Sequence, residues 1–131
     1  MIRRLWKGER GQALVEMALV LPLFFLLLFG VVEMGRVGYA YITVNNAARE
    51  GGRIASFGGT DLEINSSINN ASVSLDPAKL TITITPPQSL RLSGQEITVQ
   101  VSYPVQLIIP IISNVMPNPV VVSASIIMRK E

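Results

Sequence analysis

Sixteen consecutive residues, Met17–Val32 (MALVLPLFFLLLFGVV), are apolar apart from one glycine and one proline. Extending the run back to Gln12 adds only two polar side chains, Gln12 and Glu16. As a helix, residues 12–32 would be roughly 30 Å long, the thickness of a bilayer's hydrocarbon core. A soluble fold has no way to bury a helix that is apolar on every side unless it is large, and this chain has 131 residues. The run therefore points to a membrane span, with a small domain on one side of it.

Charge sets the orientation. Arg3, Arg4, Lys7 and Arg10, against Glu9, give the first eleven residues +3, while the rest of the chain carries −1 of the net +2. Cations flanking a span stay on the cytoplasmic side, so the N-terminus should be inside and the C-terminus outside. Because the basic charge is confined to this leader, it does not form a nucleic-acid-binding face. A secretory signal peptide would have a shorter apolar core and a small-residue cut site soon after it. Here Glu33 and Arg36 follow the run, and the nearest candidate site, Gly38-Tyr39-Ala40, fits poorly.

An acid within a spanning helix costs about 2.5–3.5 kcal/mol when central, and less near an interface. Glu16 either reaches cytoplasmic water or has a cationic partner. Cleavage after Gly11 would make Gln12 the first residue, with an α-ammonium, and Glu16 the fifth. The Glu16 carboxylate could then pair with that ammonium in its own chain or in a neighbouring one, which would neutralise two charges that hydrocarbon disfavours.

The stretch Arg10-Gly11-Gln12-Ala13-Leu14-Val15-Glu16 resembles the type IV prepilin processing site: a basic leader ending in Gly, then an apolar helix with Glu at its fifth position. The longer run RGQALVEMALVLPLFFLLLFGVVEMGR resembles the TadE-like family of tight-adherence (Tad/Flp) pilus biogenesis. The segment Ala47-Ala48-Arg49-Glu50-Gly51-Gly52-Arg53 and the terminal Met128-Arg129-Lys130-Glu131 are similar to parts of the same family. The major Flp pilin is shorter and has Glu-Tyr where this chain has Glu16-Met17, which favours a minor pilin, or pseudopilin. The resemblance implies cleavage by a prepilin peptidase after Gly11. It also implies partnership with other pilins and with an inner-membrane assembly platform. The alternatives are an uncleaved single-span protein with an external binding module, and a type II secretion pseudopilin.

Four segments are expected: a leader at 1–11, a span at 12–32, an external continuation of the helix at 33–56, and a small β-rich domain at 57–131. Pro22 should kink the span modestly, because it leaves the carbonyl of Ala18 without its donor. Ala47, Gly51 and Ala55 recur every four residues and offer a close-packing face, either for the chain's own sheet or for another helix. Gly51-Gly52 could also end or bend the helix. Phe57-Gly58-Gly59 marks a break. Thr60 and Glu63 then form a capping box for a short helix to about Ala71, with Leu62, Ile64 and Ile68 partly buried. Period-two alternation predicts strands over 79–85, 96–103 and 120–129. The fold class is α+β, a long N-terminal helix packed on a small antiparallel sheet of about three strands.

Pro104–Pro119 contains four prolines, no charge and a dense set of aliphatic residues. It reads as a loop that either folds back on the core or offers Ile108, Ile109, Ile111 and Ile112 to lipid or to a partner pilin. No active site is expected. There is neither histidine nor cysteine, which removes the commonest nucleophile–base pairs and zinc sites. Asp61, Glu63, Asp76 and Glu96 have no spacing suited to acid–base work or calcium binding. No cofactor is expected.

Overall fold

The computed structural model describes residues 9–131, so Arg3, Arg4 and Lys7 of the leader lie outside the described residues. Helix α1 runs unbroken from Glu9 to Ser56, 48 residues, and passes through Pro22. Its C-terminal half buries Ala40, Val44, Ala47, Ala48, Gly51, Gly52 and Ala55. These recur at three- and four-residue intervals, which puts them on one stripe. The Gly51-Gly52 pair does not end the helix. Packing against that stripe outweighs the roughly 1 kcal/mol that each glycine costs. The helix ends little more than one turn later, at Ser56, in a Schellman motif. Gly58 adopts φ +79°, its N–H donates to the Ala55 carbonyl (3.1 Å), and the Gly59 N–H donates to that of Ile54 (3.0 Å).

Helix α2, Asp61–Ala71, follows at once and begins with the expected capping box. The Glu63 N–H donates to Thr60 Oγ1 (3.3 Å), and the Thr60 N–H donates to Glu63 Oε2 (2.8 Å). Thr60→Ala should cost about 1 kcal/mol of domain stability, read from denaturant unfolding of the detergent-solubilised protein. An unchanged midpoint would mean that α2 does not depend on this cap. Ile64 and Ile68 are fully buried, but Leu62 is 80% exposed, contrary to the expectation that all three are partly buried. Ile64 and Ile68 lie one turn apart and face α1. Leu62 precedes Ile64 by about 200° of helix rotation and so faces solvent.

The sheet has the order β1-β2-β3 and is antiparallel throughout. Strand β1 spans Thr81–Thr85, β2 Glu96–Val105 and β3 Val120–Arg129. Ile82 pairs with Val101, and Val99 with Ile126. Ile97, Val99, Val101, Val122 and Ala124 are buried and join the α1 stripe and Ile64 and Ile68 of α2 in a single core. The other face carries Thr and Ser, with Ser102 and Ser123 hydrogen-bonded across the strands at 3.2 Å.

Two strand limits differ from expectation. Strand β1 begins at Thr81 and not at Lys79, because the N–H groups of Lys79 and Leu80 are used in a turn, donating to Asp76 and Pro77. Strand β2 continues through Pro104 to Val105. The last partner of β2 on β1 is Thr81, opposite Ser102. Beyond that point β2 is an edge strand, where a missing N–H is tolerated. The rest of the 104–119 segment is not all loop, since Pro110–Val115 forms a short helix, α3, with proline in its first turn.

Candidate functional site

The functional candidates lie along α1, at its start and where it enters the domain. Gly11 is half-buried, and Gln12 and Glu16 are exposed, all three within helix. The Gln12 Nε2 donates to Glu16 Oε1 at 3.0 Å, the i,i+4 reach of a helix. The side chains at the two ends of the Gln12–Glu16 turn are thus neighbours on one face. From Gln12 to Val32 every residue except Gly30 is exposed. α1 is long and apolar enough to cross a membrane, and its apolar window is buried nowhere in the chain. The apolar half of α1 is thus a candidate single span.

The segment Ala47–Arg53 divides by face. Ala47, Ala48, Gly51 and Gly52 turn inward. Arg49 and Arg53 are exposed, and Arg53 forms an ion pair with Glu50. A Cβ on Gly51 would lie 2.6 Å from Ile68 Cδ1, and one on Gly52 would lie 3.1 Å from Ile126 Cγ2. The Ala47, Gly51, Ala55 face is therefore occupied by the chain's own α2 and sheet, and none of it is open to a second helix.

The C-terminal end of the candidate span has a feature that the sequence did not reveal. Glu33 is only 3% exposed. Its Oε1 accepts from the N–H groups of Ile108 (2.7 Å) and Ile109 (3.1 Å), and its Oε2 accepts from Arg36 Nη1 (2.8 Å). Arg36 Nη1 also donates to the Gln106 carbonyl (3.2 Å). Burial pushes the Glu33 carboxyl up, but the two backbone donors and the Arg36 guanidinium more than offset it, holding the group below the usual carboxylate range. The i,i+3 spacing of Glu33 and Arg36 indicated their pairing. The donors 75 and 76 residues away left no signal in the sequence. Asp61 and Arg91, 30 residues apart, form a second ion pair that the sequence did not indicate. The Arg91 Nε also donates to the Pro86 carbonyl at 2.9 Å.

The four isoleucines of the apolar segment divide into two kinds. Ile108 is 69% and Ile111 61% exposed, whereas Ile109 and Ile112 are half-buried. Leu107, just before them, is buried. α3 stands beside α1, and an apolar groove between them is lined by Leu26, Val31 and Met34 on one side and by Ile111, Val115 and Met116 on the other. Among the described residues no cluster of acidic side chains could hold a metal ion.

A small α+β domain built on the C-terminal half of a helix whose N-terminal half is apolar and uncovered defines a class: a domain carried on one candidate membrane span. Residues 11–53, all within α1, match the family model described as TadE-like protein. The match begins at Gly11 and ends at Arg53. No curated protein and no solved structure matches the chain.

Proposed function

We propose that this chain is a minor pilin, or pseudopilin, a structural subunit and not an enzyme, that acts in the assembly of a Tad/Flp-type adhesive pilus. The observation that carries this reading is a coincidence of limits. The family match starts at Gly11, between the basic leader and an uncovered apolar helix, and Glu16 sits five residues on. A prepilin peptidase cuts after Gly11, where the absence of a side chain lets the protease approach the backbone. Residues 12–32 hold the mature protein in the bacterial inner membrane, N-terminus inside, with the domain outside or carried into the fibre. The new α-ammonium of Gln12 pairs with Glu16. The 3.0 Å reach between their side chains supports this, since both ends of that turn share one face. Other pilins and the assembly platform engage the uncovered half of α1.

The test is the intact mass and N-terminal sequence of the protein from its native membranes. A chain beginning at Gln12, and one retained at full length when Gly11 is replaced by a bulky residue (Gly11→Leu), is the expected result. A wild-type chain still beginning at Met1 in cells with an active peptidase would overturn it and favour an uncleaved, membrane-anchored binding module.

A further inference from the structure

We infer that α3 and the residues around it, 108–116, are a second membrane-contacting element, seated in the outer leaflet against lipid acyl chains beside α1. This rests on the reading that residues 12–32 span the bilayer.

The first argument is depth. α3 faces α1 across an apolar groove that runs along α1 from Leu26 to Met34, and its N-terminal side is tied to α1 through Glu33. At 1.5 Å per residue, Leu26 lies about 9 Å inside the outer end of the span at Val32. An element fixed beside it occupies the same level. Sliding the helix outward to lift α3 clear into water is opposed in both forms of the chain. In the uncleaved chain, a shift of six residues would draw Lys7, Glu9 and Arg10 into hydrocarbon, each at a cost of kilocalories. In the chain cleaved after Gly11, it would leave residues 12–26 to cross the bilayer, roughly 22 Å of helix against a core of about 30 Å.

The second argument is backbone satisfaction. Non-helical backbone persists at membrane depth only where its polar groups are paired. The N–H of Leu107 donates to Asn118 Oδ1 (3.1 Å), and those of Ile108 and Ile109 both donate to Glu33 Oε1. Pro110 has no N–H, and the Ser113 hydroxyl donates back to the Pro110 carbonyl (2.8 Å). Four consecutive positions thus present no free amide to their surroundings. The carboxylate that achieves this belongs to the residue where the apolar run of α1 ends. The third argument is composition. Pro104–Pro119 carries no charge, and the exposed side chains Ile111, Val115 and Met116 continue the uncovered apolar surface of α1. Lipid therefore covers both.

The chain has no cysteine, so single labels can be placed without background. Ile111→Cys and Val115→Cys, with Leu19→Cys in the span and Leu92→Cys near the far end of α1 as controls, are labelled with a polarity-sensitive fluorophore. Each full-length protein is reconstituted in phosphatidylcholine–phosphatidylglycerol vesicles. Blue-shifted emission at 111 and 115, lost to nitroxide-bearing lipids and insensitive to aqueous iodide, is the expected result. Position 92 should show the reverse. Iodide quenching at 111 and 115 while position 19 is quenched by nitroxide lipid would overturn the inference and leave the span intact. Protection of 111 and 115 from both quenchers would also overturn it, since that is burial against another copy or another pilin. Loss of lipid quenching at position 19 would bring down the spanning reading itself, and this inference with it.

Discussion

Gly51→Leu is expected to unfold the α+β domain, although it places a good helix former in the middle of a helix. A Cβ alone at this position would lie 2.6 Å from both Ile68 Cδ1 and Ile68 Cγ1, and 3.4 Å from Val99 Cγ1. Ile68 and Val99 are themselves fully buried and have no free space to move into. Overfilling a packed core costs about 1–3 kcal/mol for a methyl or two and more for a whole isobutyl group. The gain in helix propensity returns only about 1 kcal/mol. Gly51→Ala should therefore lose about 1 kcal/mol net and Gly51→Leu about 3 kcal/mol or more, a large share of a small domain's stability. The same helix supplies the control. A Cβ on Gly38 meets nothing within 4 Å, so Gly38→Ala should be neutral or stabilising by up to about 1 kcal/mol. Ile68→Val removes the clashing Cδ1. Added to Gly51→Ala it should cost less than the sum of the two single changes. Denaturant midpoints of the five variants check this. Equal midpoints for Gly51→Ala and Gly38→Ala would contradict the close approach of α2 to α1.

The second large effect is expected at Glu33. Glu33→Ala leaves the N–H groups of Ile108 and Ile109 without acceptors and removes the only carboxylate bonded to Arg36 among the described residues. The centre of the core, Ile64, Ile68, Ile97 and Val99, makes no hydrogen bond to this cluster and should stay folded, while segment 106–116 comes away from α1. Hydrogen exchange at the Ile108 and Ile109 amides should rise by roughly 10- to 100-fold, and exchange in β2 at Val99 and Val101 should not change. The pH dependence follows from the same contacts. The folded-state carboxyl is held below its ordinary value of 4.5. Its contribution is therefore complete above that value and is lost as pH falls through the lowered one. Acid should release the segment in the wild type. In Glu33→Gln, which keeps an acceptor oxygen but does not titrate, the exchange rate should be independent of pH after correction for intrinsic exchange. Acid-insensitive docking in the wild type would show that Glu33 does not hold the segment as a charged group.

The architecture was legible where a local rule governs it. Period-two alternation marked β3 from Val120 to Arg129 and the start of β2 at Glu96. The Thr60–Glu63 spacing marked the cap of α2, and uninterrupted apolarity marked the candidate span. The rest depends on contacts between residues remote in sequence. Leu62 looked like a core residue because it is apolar, but rotation about α2 turns it outward. Gly51-Gly52 carries two opposite meanings, break or close approach, and only the presence of Ile68 and Ile126 opposite decides between them. Four prolines made 104–119 look structureless. Pro104 in fact sits on a strand past its neighbour's end, and Pro110 opens a helix. Of the candidate site, Gly11, Gln12 and Glu16 were visible as a spacing. The Glu33 cluster was not, because its partners lie more than seventy residues away.

α1 passes from the candidate span into the domain core as one helix, with no linker between them. The domain therefore has no pivot of its own. From Glu33 to Ser56 the helix extends about 36 Å. A change of 10° in the inclination of the apolar half would sweep the far end sideways by roughly 6 Å, about one side chain's width. Small events near the start of the helix, such as docking a neighbour against its first turns, would be reported at the far pole as a displacement of the whole sheet, as by a pointer on a dial.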